Sequence, residues 1–433
     1  MQLTPPYVLK GPLISPIAIG ESDWSLWHEA EGALVVAPDG LIAWVGTAKD
    51  MPADYHAWPT RQTPHLIFPG FIDSHIHYPQ YHVRAAYGAD LLDWLARYTF
   101  PEEARFQDAS YAQTVAQNFT ETVLAHGVTT AMTFSTSHLE AFVAITEAAN
   151  RHGLSVITGI TAMDRQAPDT VTRDLSYFRE VNAIGFAHSQ RFSRQGYAIT
   201  PRFAISCTTP LLDACGAFVA DNPDVWVQSH VNENPDEIAF TQALFPGAKS
   251  YVDVYAQHGL LTPRTVLAHS IYSQPDELAL LSEFGTCVAH CPTSNTFLGS
   301  GLFQADRHLA ADVPITLASD IGGGISYSPF ATMAEAYKVG RLTGQALLPE
   351  QLLYWHTLGS ARALQLDRVG SLMTGYWADF CLVDPHASAL SSVRWNDRLD
   401  LQDGLFGLLF TLPECGGGII ATITSGHTRW SRA

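Results

Sequence analysis

Phe68–Gln80 reads FPGFIDSHIHYPQ: an apolar run, then two histidines one residue apart, His75 and His77, where a strand should stop. In an extended strand, residues i and i+2 point to the same face. Both imidazoles can therefore reach one point, and the fold decides what else arrives there.

Downstream of Phe68, short apolar runs alternate with longer amphipathic stretches such as YAQTVAQNFTETVLAHG and PDELALLSEFG. The pattern predicts eight strands, at 68–77, 127–136, 154–164, 197–207, 225–233, 265–272, 286–295 and 314–322. Repeated strand–helix units imply a parallel sheet, and eight of them imply closure into a (β/α)8 TIM-like barrel. An open doubly wound sheet is the rival, weakened because no glycine-rich turn follows the first strand. Helices are expected at 330–344 and 349–365. The flanks differ in texture. Residues 7–67 are β-rich, with Pro38-Asp39-Gly40 as a hairpin turn, and GSLMTGYWADFCLVDP and GGGIIATITSGHTRW return to short strands. The expected organisation is a small β-sandwich made of residues 1–67 and 370–433 beside a (β/α)8 barrel over 68–369.

Apolar residues are 47% of the 433 and charged residues only 15%, so most of the chain must pack. Lys plus Arg number 24 against 42 Asp plus Glu, a net charge of −18. That surface repels phosphate backbones and anionic lipid, which argues against nucleic-acid and membrane partners. No apolar stretch has the length of a membrane span, and the start MQLTPPYVLKGPL lacks a signal-peptide pattern. The six cysteines are dispersed with no CxxC pair, as expected of reduced thiols in a cytoplasmic protein.

Barrel chemistry gathers at the C-terminal ends of the strands. There the sequence places His75 and His77 (strand 1), Pro201-Arg202-Phe203 (strand 4), His230 and Glu233 (strand 5), His269 (strand 6), Thr293-Ser294-Asn295 (strand 7) and Asp320 (strand 8). His75, His77, His230 and Asp320 make a set of three imidazoles and a carboxylate, suited to Zn²⁺ with Fe²⁺ as the alternative. The four lysines, Lys10, Lys49, Lys249 and Lys338, all lie away from strand ends. A carboxylated lysine bridging two ions is therefore not expected, and one ion per subunit is. His290 and Cys291 in CVAHC look ligand-like but are expected on the barrel wall or in the core.

PGFIDSHIH, the His-x-x-Glu of SHVNE, His269 and the Asp of LASDIG together resemble the amidohydrolase superfamily in its mononuclear zinc deaminase branch. HIHYPQ, TPRFAISC, SHVNEN, CPTSNTFLGSGLF and SDIGGG are similar to the guanine deaminase family across the whole barrel, whereas ITSGHTRW departs from the usual closing turn of the sandwich. The resemblance implies hydrolysis of guanine to xanthine and ammonia by a zinc-activated water, in a homodimer. Glu233 would pass a proton to N3 and then to the leaving amine, and Asp320 and His269 would orient the nucleophile. Arg202 would donate to O6, Phe203 would offer a ring face or a backbone contact, and Gln80 would present its amide to the purine edge, with His230 and His269 bordering the same substrate. The long loop 78–108, carrying Trp94, Tyr98 and Phe100, is expected over the mouth or packed as an inserted helix, and SNTFLGSG should shape the pocket. Two alternatives stay open: a relative acting on another amino- or halo-substituted ring (triazine, cytosine, adenosine, 8-oxopurine), and a non-catalytic metal-binding protein.

Overall fold

The computed structural model describes residues 2–20, 23–88, 91–396 and 398–432. Eight parallel strands form the barrel: Phe71–His77, Val128–Phe134, Ser155–Gly159, Gln195–Pro201, Trp226–Val231, Thr265–His269, Cys287–His290 and Ile315–Leu317. Each pairs with the next. They are almost wholly buried, on both faces, as a parallel sheet covered by helices requires. The first and last strands meet through polar contacts. Ser74 Oγ lies 2.7 Å from Thr316 Oγ1, and the Asp320 N–H donates to the His75 carbonyl at 3.0 Å. The barrel is nearly closed.

Most of the predicted strands run too long; the eighth ends at Leu317 and not at 322. The fourth stops at Pro201, and the apolar residues after it form a tight turn at Ala204–Ser206 rather than more strand. The seventh stops at His290, and Pro292 opens a short helix, Pro292–Phe297, that carries Asn295. The 68–77 run divides at Gly70. Leu66–Pro69 pairs antiparallel with Phe380–Val383 in a second sheet, while Phe71–His77 enters the barrel. A Cβ at Gly70 would stand 2.1 Å from Thr129 Oγ1, so the chain can cross between sheets only where no side chain exists. Gly70→Ala should therefore cost about 1–3 kcal/mol through overpacking. A lowered denaturation midpoint is the expected reading, and an unchanged one would refute the crowding.

The second sheet joins both flanks. Its order is His427–Ser431, Ile419–Thr424, Phe380–Val383, Leu66–Pro69, Tyr7–Ala18, Trp24–Val36, Ile42–Thr47, with Thr60–Gln62 beside Tyr7–Ala18. It curls on itself: Leu41 bridges Trp377, and Leu9, Leu13, Leu34, Phe380 and Ile423 share one core. The turn before Leu41 places Gly40 at φ 82°, in the left-handed region a tight hairpin uses. Two helices in the C-terminal flank were not expected from its β texture, Ala389–Arg394 and Leu401–Thr411. Asp400 caps the second by accepting from the Asp403 N–H, and Leu405, Leu408 and Leu409 bury against the outer barrel core. Among the described residues, no helix is long and apolar enough to cross a membrane.

Candidate active site

The backbone is strained where the polar side chains gather. Asn232, His269, Ser270 and Asp320 all adopt positive φ, at 50°, 77°, 51° and 49°. Such conformations are uncommon outside glycine and collect at functional sites.

The period-two reading of HIH holds. His75 and His77 both aim inward from the first strand and meet His230 from the fifth and Asp320 from the loop after the eighth. His77 Nε2 lies 3.2 Å from both His75 Nε2 and His230 Nε2. Asp320 Oδ1 lies 3.3 Å from His75 Nε2 and from His77 Nε2. Donors about 2.0–2.2 Å from a tetrahedral cation stand about 3.3–3.6 Å apart, so the spacing matches. Burial, above all, drives the His77 imidazole down to about 3, and burial together with His75 and His77 drives His230 well below its ordinary value. Burial pushes the Asp320 carboxyl up, but the imidazoles of His75 and His77 outweigh it and hold that carboxyl well below its usual range. His230 Nδ1–H donates to the Arg202 carbonyl at 2.5 Å, which leaves the Nε2 lone pair for the centre. Neutral imidazoles with converging lone pairs repel one another unless a cation lies between them. The donor set fits a divalent metal.

Positioning reaches further out. The Asp73 carboxylate accepts from the Ser319 N–H at 3.1 Å and from its hydroxyl at 2.5 Å, which ties the first strand to the loop that carries Asp320. Cys291 lies in the core as expected, but next to the centre. Its thiol shares a 4.8 Å group with His75, His269 and Asp320. Burial pushes that thiol well up, and it donates to the Ala289 carbonyl at 3.4 Å, so it stands beside the centre as a protonated neighbour. His290 does face the wall, stacked on Phe303 with ring centres 4.4 Å apart.

Glu233 follows the left-handed Asn232 and lies outside the strand, at the entrance to helix Pro235–Leu244. Its Oε1 accepts from the Ser300 hydroxyl at 2.9 Å, and its Oε2 lies 3.4 Å from His269 Nε2. Its N–H donates to the buried Glu237 carboxylate at 2.9 Å. Burial, helped by the Asp320 charge, pushes the Glu233 carboxyl up to about 8. His269 Nδ1 lies 2.8 Å from Asn295 Oδ1, which aims Nε2 at Glu233 and at Asp320 Oδ2, 3.8 Å away.

These groups floor a pocket of about 430 Å³, with Gln80, Arg202 and Phe203 on its side and Leu298 from the SNTFLGSG segment. Over it lie Leu91, Trp94 and Leu95 from loop 78–108. Residues 89–90 of that loop are outside the described residues. Tyr98 packs in the same apolar cluster, and Phe100 lies beneath the Arg202 guanidinium at 5.2 Å.

Residues 66–427 match the sequence profile of the amidohydrolase family. The chain belongs to that family. Among curated relatives, a probable guanine deaminase of Deinococcus radiodurans is 41% identical over 428 residues, covering 94% of this chain and 95% of its own. Among solved structures, the guanine deaminase of E. coli aligns with a TM-score of 0.93 at 33% identity, over 99% of this chain and 100% of that one. A guanine deaminase of C. acetobutylicum, solved with guanine bound in its active site, aligns with a TM-score of 0.88 at 27% identity, over 98% of this chain and 99% of that one.

This amidohydrolase site thus brings together the residues to which the sequence assigned metal, proton-transfer or substrate roles: His75, His77, Gln80, Arg202, Phe203, His230, Glu233, His269 and Asp320. Sequence reasoning gave no role to Glu103, Glu237, Asn295 or Ser300, which hold those side chains in place. Asn295 and Ser300 carried a signal, the first in the Thr293-Ser294-Asn295 run after the seventh strand and the second in the SNTFLGSG segment expected to shape the pocket.

Proposed function

We propose that this amidohydrolase hydrolyses guanine to xanthine and ammonia. The observation that carries this reading is the convergence of three imidazoles and Asp320 beside the buried Glu233, whose carboxyl burial pushes up to about 8, under a pocket edged by Arg202 and Gln80. The near full-length likeness to guanine deaminases supports the choice of base.

One divalent ion per subunit, Zn²⁺ with Fe²⁺ as the alternative, would be held by His75, His77, His230 and Asp320, and it supplies a nucleophile from water at neutral pH. The purine C2 is a poor electrophile until a neighbouring ring nitrogen is protonated, and the amino group departs only as ammonia. Glu233 serves both needs, giving a proton to N3 and then one to the amine; its raised pKa keeps that proton available near neutrality. Asp320 Oδ2 and His269 Nε2 flank the approach to the ring and take up the protons the attacking water releases; His269, 3.4 Å from Glu233, returns one to the carboxylate left after N3 is protonated, so that Glu233 has a second proton for the amine. Arg202 donates to O6, Gln80 meets the purine edge, and Phe203 presents its ring or its extended backbone. His230 and His269 also border the base.

Arg202→Ala should raise KM for guanine by about 10–100-fold with a smaller change in kcat, because it removes binding felt in both ground and transition states. An unchanged preference for guanine over adenine would refute the O6 contact. The decisive test of the function combines metal analysis with ammonia release from guanine, 8-oxoguanine, adenosine, cytosine and a triazine. Fastest turnover of any substrate but guanine overturns the assignment.

The reading also divides the chain into a sandwich of residues 1–67 with 370–433 and a barrel of 68–369. Pairing of Phe380–Val383 with Leu66–Pro69 supports a module built from both flanks. All six cysteines are free, which supports a reducing cytoplasm. A homodimer completes the proposal, and light scattering tests it.

A further inference from the structure

Glu103 takes no part in the chemistry above, yet it is fully buried behind two residues that line the pocket, Arg202 and Gln80. It comes from the short helix Phe100–Ala104, whereas Arg202 follows the fourth strand and Gln80 lies in the turn after the first. Both Glu103 oxygens accept from Arg202 Nη1, each at 2.7 Å, and Oε1 faces Gln80 Nε2 at 3.5 Å. The Gly322 N–H holds Gln80 Oε1 from the other side at 3.0 Å. A carboxylate only accepts, so the nitrogen end of the Gln80 amide must face Glu103, and the amide cannot flip. One N–H and one lone pair remain for a ligand. Likewise Arg202 spends Nη1 on Glu103 and keeps Nε and Nη2 as donors.

We propose that Glu103 is a positioning residue that sets specificity: it aims Arg202 and Gln80 at the oxo edge of the base and cancels the Arg202 charge, so that the pocket selects a neutral oxopurine over an anionic one. The inference rests on the reading of Arg202 as the O6 donor. Its physical basis is that a guanidinium buried without a counter-charge takes an anion as partner. With Glu103 in place, that partner is already inside the protein.

Glu103→Gln removes the charge and keeps the shape. In the holoenzyme, KM for guanine should rise about 30-fold while kcat changes less than about threefold. Urate, a purine anion at neutral pH, should bind at least about tenfold more tightly by calorimetry, since it now supplies the missing charge. The double variant E103Q/R202Q should lose that gain, and Glu103→Asp, which keeps the charge, should show none. Folded E103Q protein with wild-type KM and wild-type urate affinity overturns the proposal. So does an equal fall in kcat and kcat/KM without tighter urate binding, which marks a merely structural role. If E103Q does not fold, Glu103→Asp decides: its retreat from Gln80 should raise the guanine KM, and an unchanged KM overturns the proposal. Urate binding needs no turnover. It therefore judges Glu103 even if the wild-type protein released no ammonia from guanine, a result that would instead overturn the proposed function.

Discussion

Glu233→Gln will keep its metal and lose turnover by about 10³–10⁴-fold, the upper range for removing a positioned acid–base group. The substitution is nearly isosteric. The amide oxygen can still accept from Ser300, and the backbone N–H still reaches Glu237, so the pocket keeps its shape. Only proton exchange is lost. A second reading separates this from damage to the fold. The Glu233 carboxyl rises from 4.5 unfolded to about 8 folded, mainly by burial. Across that window the unfolded chain releases the proton and the folded one keeps it, so metal-free wild-type protein loses stability as pH rises from about 4.5 to about 8. Glutamine has nothing to ionise. The metal-free variant should therefore melt no lower than wild type at pH 7–8, and its advantage should vanish below pH 4.5. Near-normal turnover in a folded, metal-loaded variant would remove the acid–base role.

His75→Ala should abolish both metal binding and catalysis, with turnover down by at least about 10⁴-fold. His75 supplies one of three converging nitrogens and contacts Asp320 at 3.3 Å, so its loss opens the ring of donors at two contacts. Chelation of the wild-type protein should act the same way and also lower its melting midpoint. A metal present at about 1,000 times its dissociation constant stabilises the folded state by about 4 kcal/mol, and removing it withdraws that term. Elemental analysis beside calorimetry reads both effects. A His75→Ala protein that retains a full equivalent of metal, or chelated protein that still releases ammonia at the wild-type rate, would dismantle the centre.

The convergence of His75 and His77 was legible because strand geometry is local, two residues apart in a strand meaning one face, whereas His230 and Asp320 joined them only through the eight-strand barrel pattern. Strand ends were less legible. In TPRFAISC the apolar residues continue past Pro201, and hydrophobicity alone does not separate a strand from a buried turn. The helix that carries Asn295 had a different signal, Pro292 in its first turn, which the strand reading ran over. Glu103 was not legible at all. In FPEEAR it is one of two adjacent glutamates, and its burial is decided by an arginine 99 residues away. The helix Leu401–Thr411 could have been found, because Asp400 is a good cap and LQDGLFGLLF has helical length, but the β texture on both sides drew it into a strand module.

The crossing at Gly70 has a consequence for how the protein is made. Leu66–Pro69 waits for a partner, Phe380–Val383, synthesised roughly 300 residues later, so its central sheet contact is among the most distant in the chain. While the ribosome is still at work, the sheet of the N-terminal flank carries an unpaired edge at Leu66–Pro69, just ahead of the nascent barrel. Chaperone demand and aggregation during translation should concentrate there, and not at the pocket.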